Sequence, residues 1–393
     1  MQPLSKEVVI FSNIFGGFPL KFTIDSKDRK RKLKFSFFVF FWGLVLITLQ
    51  TILSAIGVYT DFSKRVADQP KWMFNDKSGF VTLIDFLSFN LTLVVVFFSC
   101  ARKYQHFVSV LQILEHVDQN LHQNVLEVKA KAKVSFIFIV TTGLFVYSSL
   151  LGYTKFVKLD YKDYIKSIFY VLPLSSCFAQ VSMFLHFTQV TQSVATRFGI
   201  INAKVKEEVM RNMRRRKINS QCLPSVNVPQ SDRGLSSIWK IKSLMKTYWE
   251  LCDAVHQANT FYGDQLMVIF FNSFAHITIS LYYFSYSVIY EDTIITVLMG
   301  TWSIAHVAYL VLLVHPSTLV TKLAAETAPV ICKLINMDLD PALVKCLEEF
   351  LLQLGKHKPR LSALGFFHIH NSTLTGMAGA VTTYLVILIQ FLL

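Results

Sequence analysis

Seven stretches of almost unbroken apolar sequence constrain this chain more than anything else in it. They run roughly over 35–59, 80–100, 134–154, 167–190, 266–290, 294–315 and 372–393. About 20 apolar residues cross the hydrocarbon core as a helix, and a helix satisfies its own backbone polar groups there. The expected fold is an all-α membrane protein with seven transmembrane helices. Composition agrees: 16% of residues are charged, against roughly 25% in soluble domains. The polar stretch before the first apolar run is too long for a cleaved signal peptide, so that run is expected to be an uncleaved anchor.

The net charge of +14 is unevenly placed. Of the 39 lysines and arginines, 31 fall in 1–34, 101–133, 191–265 and 316–371, and 8 fall in 60–79 and 155–166. The positive-inside rule puts the rich side in the cytoplasm, so the N-terminus is expected inside and the C-terminus outside. Contact with anionic lipid heads accounts for the charge, and no nucleic-acid partner is expected. The implied organisation is a cytoplasmic tail (1–34), transmembrane helices 1–4 (35–190), cytoplasmic helices and a linker (191–265), transmembrane helices 5–6 (266–315), cytoplasmic anchor helices (316–371) and a last transmembrane helix (372–393). Cys222, Cys252, Cys332 and Cys346 fall in cytoplasmic segments, and Cys100 and Cys177 in spans. No disulfide framework is expected.

Both long cytoplasmic segments carry helical apolar faces outside any span. The first shows Leu244, Tyr248, Leu251, Val255 and Tyr262. It follows a linker at 219–236 and runs into the fifth span. The second shows Leu343, Leu347, Phe350, Leu351 and Leu354, after a turn in which Asp340 before Pro341 makes a helix start. These helices are expected to pack on each other and on copies of the chain, with Leu251, Val255, Phe350, Leu351 and Leu354 as the assembly residues.

No phosphate loop, nucleophile elbow or zinc-protease motif occurs, so neither an enzyme nor a cofactor or metal is expected. Asp85 sits inside the second span, where a carboxylate is costly unless it faces a wet cavity, a partner or the interface. With Tyr147, Tyr170, Tyr286, Trp302 and His306 it sketches an outward-facing pocket for a small ligand. The same aromatic residues also suit an interfacial belt, and His306 a hydrogen-bonded packing role; composition leaves these readings open.

The last apolar stretch is patterned. At 100° per residue, Ser372, Gly376, Gly379, Thr383 and Gln390 lie within about 40° of one line. Such a polar, small-residue seam serves either close packing of helices or the wall of a wet path.

The chain's end also carries a family pattern. Thr383-Tyr384, five apolar residues and Gln390-Phe391 resemble the terminal signature of insect gustatory receptors. Gly365-Phe366-Phe367 resembles the segment before that family's last helix. Glu348-Glu349-Phe350 and Leu251-Cys252-Asp253 also look familial, and specific motifs cover roughly 244–393. Leu385 stands where sweet-receptor members tend to carry Glu, so the chain is similar to bitter-type or fructose-type members.

The resemblance implies an insect chemoreceptor channel fold: a tastant-gated, nonselective cation channel, homotetrameric or heterotetrameric with other gustatory subunits, in the plasma membrane of sensory neurons. It implies that the last helix lines a shared pore, with Gln390 and Phe391 at the gate, Thr383 and Tyr384 steadying that helix, and Gly376 and Gly379 on its seam. Two other readings stand against it. A G-protein-coupled receptor would need inverted topology and lacks a DRY-like triplet, and a transporter would show internal repeats.

Overall fold

The computed structural model describes residues 6–24, 31–63, 76–121, 140, 142–143, 146–147, 164–221, 231–291, 293–356 and 358–390. Over several stretches within helices, among them 76–86 and 164–177, the description is of the backbone alone. The described residues form α1 (Lys6–Ile14), β1 (Leu20–Ile24), β2 (Arg31–Phe35), α2 (Phe37–Ser63), α3 (Asp76–Leu121), α4 (Tyr164–Gln221), α5 (Ser231–Ile289), α6 (Thr293–Ile335), α7 (Pro341–Lys356), β3 (Ser362–Ala363), β4 (Phe367–His368) and α8 (Asn371–Gln390). Four stretches within them are long and apolar enough to cross a membrane: Phe37–Ile56, Ser237–Ile289, Ile295–Ile335 and Asn371–Gln390. Most of the third apolar stretch, and residues 222–230 of the linker, lie outside the described residues.

The long helices are single rods. α3 has 46 residues, α4 58, α5 59 and α6 43. At 1.5 Å per residue the longest far exceeds a bilayer, so each continues beyond its apolar stretch as a polar extension. α3 packs along α5, and α4 along α6. In the extensions, Tyr248, Leu251, Val255, Phe350 and Leu354 join one continuous core with Val205, Val209, Val320, Leu334 and Leu347. Burying side chains of this size stabilises by about 1.5–3 kcal/mol each.

Polar ties fix the register. Arg197 donates from Nε and Nη2 to the two oxygens of Asp118 at 2.8 and 2.6 Å, and from Nη1 to the Ser193 carbonyl at 2.7 Å. The Asn202 amide donates to the Leu323 carbonyl at 2.8 Å, and Thr327 donates to its oxygen at 2.7 Å. Trp249 donates to Gln353 at 2.9 Å, holding α7 against α5. Asp340 caps α7, its carboxylate accepting from the Ala342 amide at 3.2 Å, as its place before Pro341 suggests.

The residues expected to carry assembly are covered, to different degrees, within their own chain. Leu251 and Phe350 are fully buried, and Val255 and Leu354 nearly so. Leu351 is half-buried against the same core. A helix pair with apolar faces first covers them with its neighbours in the chain, and α4 and α6 are those neighbours. Among the described residues, the large apolar side chains that remain exposed on the extension of α5 (237–265) and on α7 are Trp239 and Leu352, at 70% and 73%.

Residues 6–24 and 31–35 form more regular structure than the charge of this end of the chain suggests. α1 packs on α4 through Val8, Val9 and Ser12, all buried. Ser12 Oγ donates to the Val8 carbonyl and lies 2.6 Å from His186 Nε2, while Phe18 stacks on the His186 ring at 4.3 Å. After α1 the chain turns through Gly16, at φ 70°. A Cβ there would stand 2.8 Å from the Gly43 Cα, so α1 meets α2 at a glycine pair. β1 and β2 then form an antiparallel ribbon, Leu20 pairing with Phe35. The signal was present in the sequence as scattered apolar positions (Val8, Val9, Phe11, Phe15, Phe18), but the charge pattern around them dominates.

A second feature absent from the sequence reading is the β3–β4 hairpin. Leu364 and Gly365 have φ of 50° and 79°, the double left-handed step of a tight hairpin turn. The Phe366 amide closes it on the Ala363 carbonyl at 3.0 Å. Asn259 of α5 binds the hairpin, donating to the Arg360 carbonyl at 2.7 Å and accepting from the Ser362 amide at 3.0 Å. This hairpin delivers the chain into α8.

Candidate functional site

Two places in the fold have chemistry to offer: the surface of α8 and a cavity between the apolar halves of the long helices.

α8 touches its own chain on one side only. Val381 is its one buried residue. Leu374 and Met377 pack on the core, and Tyr384 meets Phe274 edge-on at 5.7 Å. Gly376, Gly379, Thr383 and Gln390 are exposed. On a helical projection the seam through these four centres roughly 170° from Val381, so the polar line faces directly away from the body of the chain. Nothing lies within 4 Å of a Cβ built on Gly376 or Gly379. These glycines are therefore not demanded by packing within one chain. Thr383 donates to the Gly379 carbonyl at 3.0 Å, which keeps its hydroxyl satisfied along the helix. Phe391 lies outside the described residues.

The cavity is small: about 20 Å³ is open to the centre of a water-sized molecule, within about 440 Å³ of space free of atoms that includes the open surroundings. α6 contributes Trp302, Ala305, His306 and Tyr309, which is helical spacing along one face. α4 contributes Gln180, Val181 and Phe184; α3 gives Phe89, α5 gives Ser273, and the third apolar stretch gives Val146. The rings are ordered. Phe184 stacks on Tyr309 at 5.4 Å with planes 11° apart. His306 stacks on His276 at 4.9 Å and 7°, and Phe89 meets His276 edge-on at 5.8 Å. The Tyr309 hydroxyl donates to Thr142 at 3.3 Å. Gln180 is 93% buried, at 7% relative exposure, and its Nε2 has no hydrogen-bond partner.

Of the pocket residues read from sequence, the structure brings Trp302 and His306 together on this wall. Tyr147 is exposed beside Val146. Tyr286 stands apart, its ring 4.3 Å from that of Tyr290 near the end of α5. The side chains of Asp85 and Tyr170 lie outside the described residues. Gln180, Phe184, Ser273 and Tyr309 escaped the sequence reading. The 3–4 residue spacing of Trp302, Ala305, His306 and Tyr309 is visible in sequence, but which face of α6 turns inward is not.

Outside the apolar halves, charge is closely managed. Asp264 receives Lys103 at 2.7 Å, Ser99 at 3.1 Å and Arg102 at 3.3 Å. Burial pushes its carboxyl up, but hydrogen bonds and charge from Lys103, then Ser99 and Arg102, outweigh it and hold the group below the usual carboxylate range. Burial pushes the Cys252 thiol up to about 12, against a smaller opposing hydrogen bond with Tyr248. Among the described residues no three His, Cys, Asp or Glu side chains gather as a metal set.

This architecture has relatives. A family model described as "7tm Chemosensory receptor" matches residues 8–393. The chain belongs to that family, a class of multi-pass membrane receptors. The gustatory receptor for sugar taste 43a of Drosophila melanogaster is 27% identical over 176 residues, which is 44% of this chain and 40% of that receptor. The putative gustatory receptor 28b of the same fly is 21% identical over 93% of this chain and 81% of its own length. In three dimensions the chain is similar to the insect olfactory receptor OR5 from Machilis hrabei, with a TM-score of 0.64 at 12% identity, covering 98% of this chain and 97% of that one. These relatives bear the names of receptors of taste and smell, not of enzymes.

Proposed function

We propose that this chain is a gustatory receptor acting as a tastant-gated, nonselective cation channel in the plasma membrane of sensory neurons. The observation that carries the reading is the outward-facing polar seam of α8. A helix that packs its own chain with Val381, Leu374 and Met377 while turning Gly376, Gly379, Thr383 and Gln390 away needs a wet axis or copies of itself on that side. Four copies around an axis give these residues a pore to face. The 31-to-8 basic asymmetry supports a cytoplasmic N-terminus and an extracellular end for α8.

The working parts then divide. A tastant in the cavity between α3, α4, α5 and α6 favours whichever arrangement it binds better. α5 and α6 both touch α8, so a shift of either is delivered to the pore helix. Gln390 faces the axis as a polar ring, and Phe391, one residue on, supplies an apolar constriction that opens by wetting. Exposed Trp239 and Leu352 on the extensions are the apolar surface left for intersubunit contact, with either identical copies or other gustatory subunits. The family match to gustatory receptors supports taste as the modality.

The test is current recorded from cells expressing the chain. Phe391→Ala should raise ligand-independent current, and Gln390→Ala should change conductance or ion selectivity. Leu388→Ala, about 160° from Gln390 on the packed side, should leave permeation unchanged. If the Gln390 and Phe391 variants match wild type in basal level, conductance and selectivity at equal surface expression, α8 does not line the pore.

A further inference from the structure

The β1–β2 ribbon carries two charges that the fold leaves unmatched. We infer that its outer face binds the headgroup of an anionic phospholipid of the cytoplasmic leaflet, one that carries a phosphomonoester, with Lys21 and Lys34 gripping the phosphate. The inference goes beyond the channel reading and takes from it only the cytoplasmic N-terminus. Side chains alternate between the two faces of a strand. Leu20 and Leu33 are buried, and Phe22 and Phe35 pack on the same core. Lys21 and Lys34 fall on the opposite face, are exposed, and stand directly across from each other in the register. Like charges so placed, with Cβ atoms about 5 Å apart, destabilise a ribbon. Among the described residues neither lysine has a carboxylate partner.

Position supplies the partner. The Phe35 ring lies 5.1 Å from that of Tyr104 on α3, a residue about 6 Å along the helix past the end of the second apolar stretch at 100. The membrane-length stretch of α2 opens at Phe37, just after Lys34. Phe37, Phe38, Phe41 and Trp42 are exposed there, as aromatic rings are at headgroup level. The lysine pair is thus held at the depth of lipid phosphates. Basic residues at the same level of α3 are already matched, since Arg102 and Lys103 reach Asp264 at 3.3 and 2.7 Å. Two opposed ammonium groups balance one phosphomonoester, which carries about −1.5 to −2 at pH 7. A headgroup with a single net negative charge, such as that of phosphatidylserine, balances only one of them.

The experiment uses the full chain purified in detergent, with water-soluble dioctanoyl lipids as probes: phosphatidylinositol 4,5-bisphosphate, phosphatidylserine and phosphatidylcholine. Inositol 1,4,5-trisphosphate supplies the headgroup without acyl chains. The bisphosphate lipid should bind saturably and raise the unfolding temperature; phosphatidylcholine should do neither, and phosphatidylserine should bind more weakly. Lys21→Gln and Lys34→Gln should each weaken the bisphosphate lipid about fivefold. Lys246→Gln, at an exposed lysine about 27 Å along α5 from Asp264, should leave binding unchanged. Without lipid, both ribbon variants should melt at or above the wild-type temperature, because each relieves the repulsion; melting below it would mean that the pair serves the fold, and overturns the inference. Unchanged affinity in the Lys21→Gln/Lys34→Gln double variant also overturns it, as does phosphatidylserine binding as tightly as the bisphosphate lipid. Inositol trisphosphate binding as tightly as the lipid would make the ligand a soluble phosphate, and a double variant that loses its tetramer would make the face a contact between copies; either result overturns the lipid assignment. Lipid binding with the expected signatures but no current in cells supports the inference and counts against the channel reading alone.

Discussion

Asp118 and Arg197 offer the sharpest test of how the extensions hold together. The pair is nearly closed to solvent, at 8% and 4% exposure, and joins α3 to α4 through two parallel hydrogen bonds of 2.8 and 2.6 Å. A third bond ties Arg197 to the Ser193 carbonyl. Taking two charges out of water costs several kcal/mol per ion, and the paired geometry offsets that cost. Removing one partner strands the other. Asp118→Ala or Arg197→Ala should therefore destabilise by about 3–5 kcal/mol. Replacing both with apolar residues of similar volume, Asp118→Leu with Arg197→Met, leaves no buried charge. That double variant should sit within about 1–2 kcal/mol of wild type, on either side. The assay is thermal unfolding of detergent-purified protein at one scan rate, followed by the loss of the monodisperse peak in fluorescence-detected gel filtration. Each single variant should melt on the order of 5 °C or more below wild type. The double variant should recover most of that drop. Single variants that melt with wild type would mean that the pair is hydrated and adds little. A double variant as unstable as the two losses added together would mean that the two residues act independently.

Other outcomes can be checked with less effort. Leu352→Glu, on an exposed apolar side chain, should reduce the tetramer on a native gel without lowering the melting temperature, whereas Leu251→Glu, in the core, should abolish folded protein. Cys332, which is exposed, should react with a maleimide in the native protein at pH 8. Cys252, whose thiol is held protonated up to about 12, should react only on unfolding, as measured by mass spectrometry of labelled peptides. Asp264, with its carboxyl lowered in the fold, contributes stability in full above the ordinary carboxylate range and loses it as pH falls through the lowered value. Asp264→Asn should therefore lower the melting temperature near pH 7 and flatten the acid limb, the two curves drawing together as pH falls through the lowered value. A tag at the C-terminus should be accessible on intact cells, and one at the N-terminus should not.

The sequence alone determines the class of this protein, because the bilayer tolerates few alternatives. A run such as 294–315 has little choice but to be a helix in lipid. The glycines, threonine and glutamine of 372–393 fall on one line because helical geometry is fixed, so the seam is readable before any neighbour is known. Asp340 capping α7 is likewise a local matter of one carboxylate and a free amide.

What the tertiary structure alone decides is which of two faces a side chain serves. Leu251 and Phe350 read as surfaces for another subunit, yet their own chain covers them, because four long rods brought side by side satisfy each other first. Trp302 and His306 read as candidates beside Tyr147 and Tyr286, and only the packing of α6 on α4 separates the wall of the cavity from the rest. Gln180 gives no signal in sequence, since a buried amide without a partner exists only once the surrounding helices have closed around it. The α1 segment is the same lesson at the other end of the chain. The apolar residues of α1 become a docked helix where Gly16 and Gly43 let two backbones meet, a contact between positions 27 residues apart that no local pattern encodes.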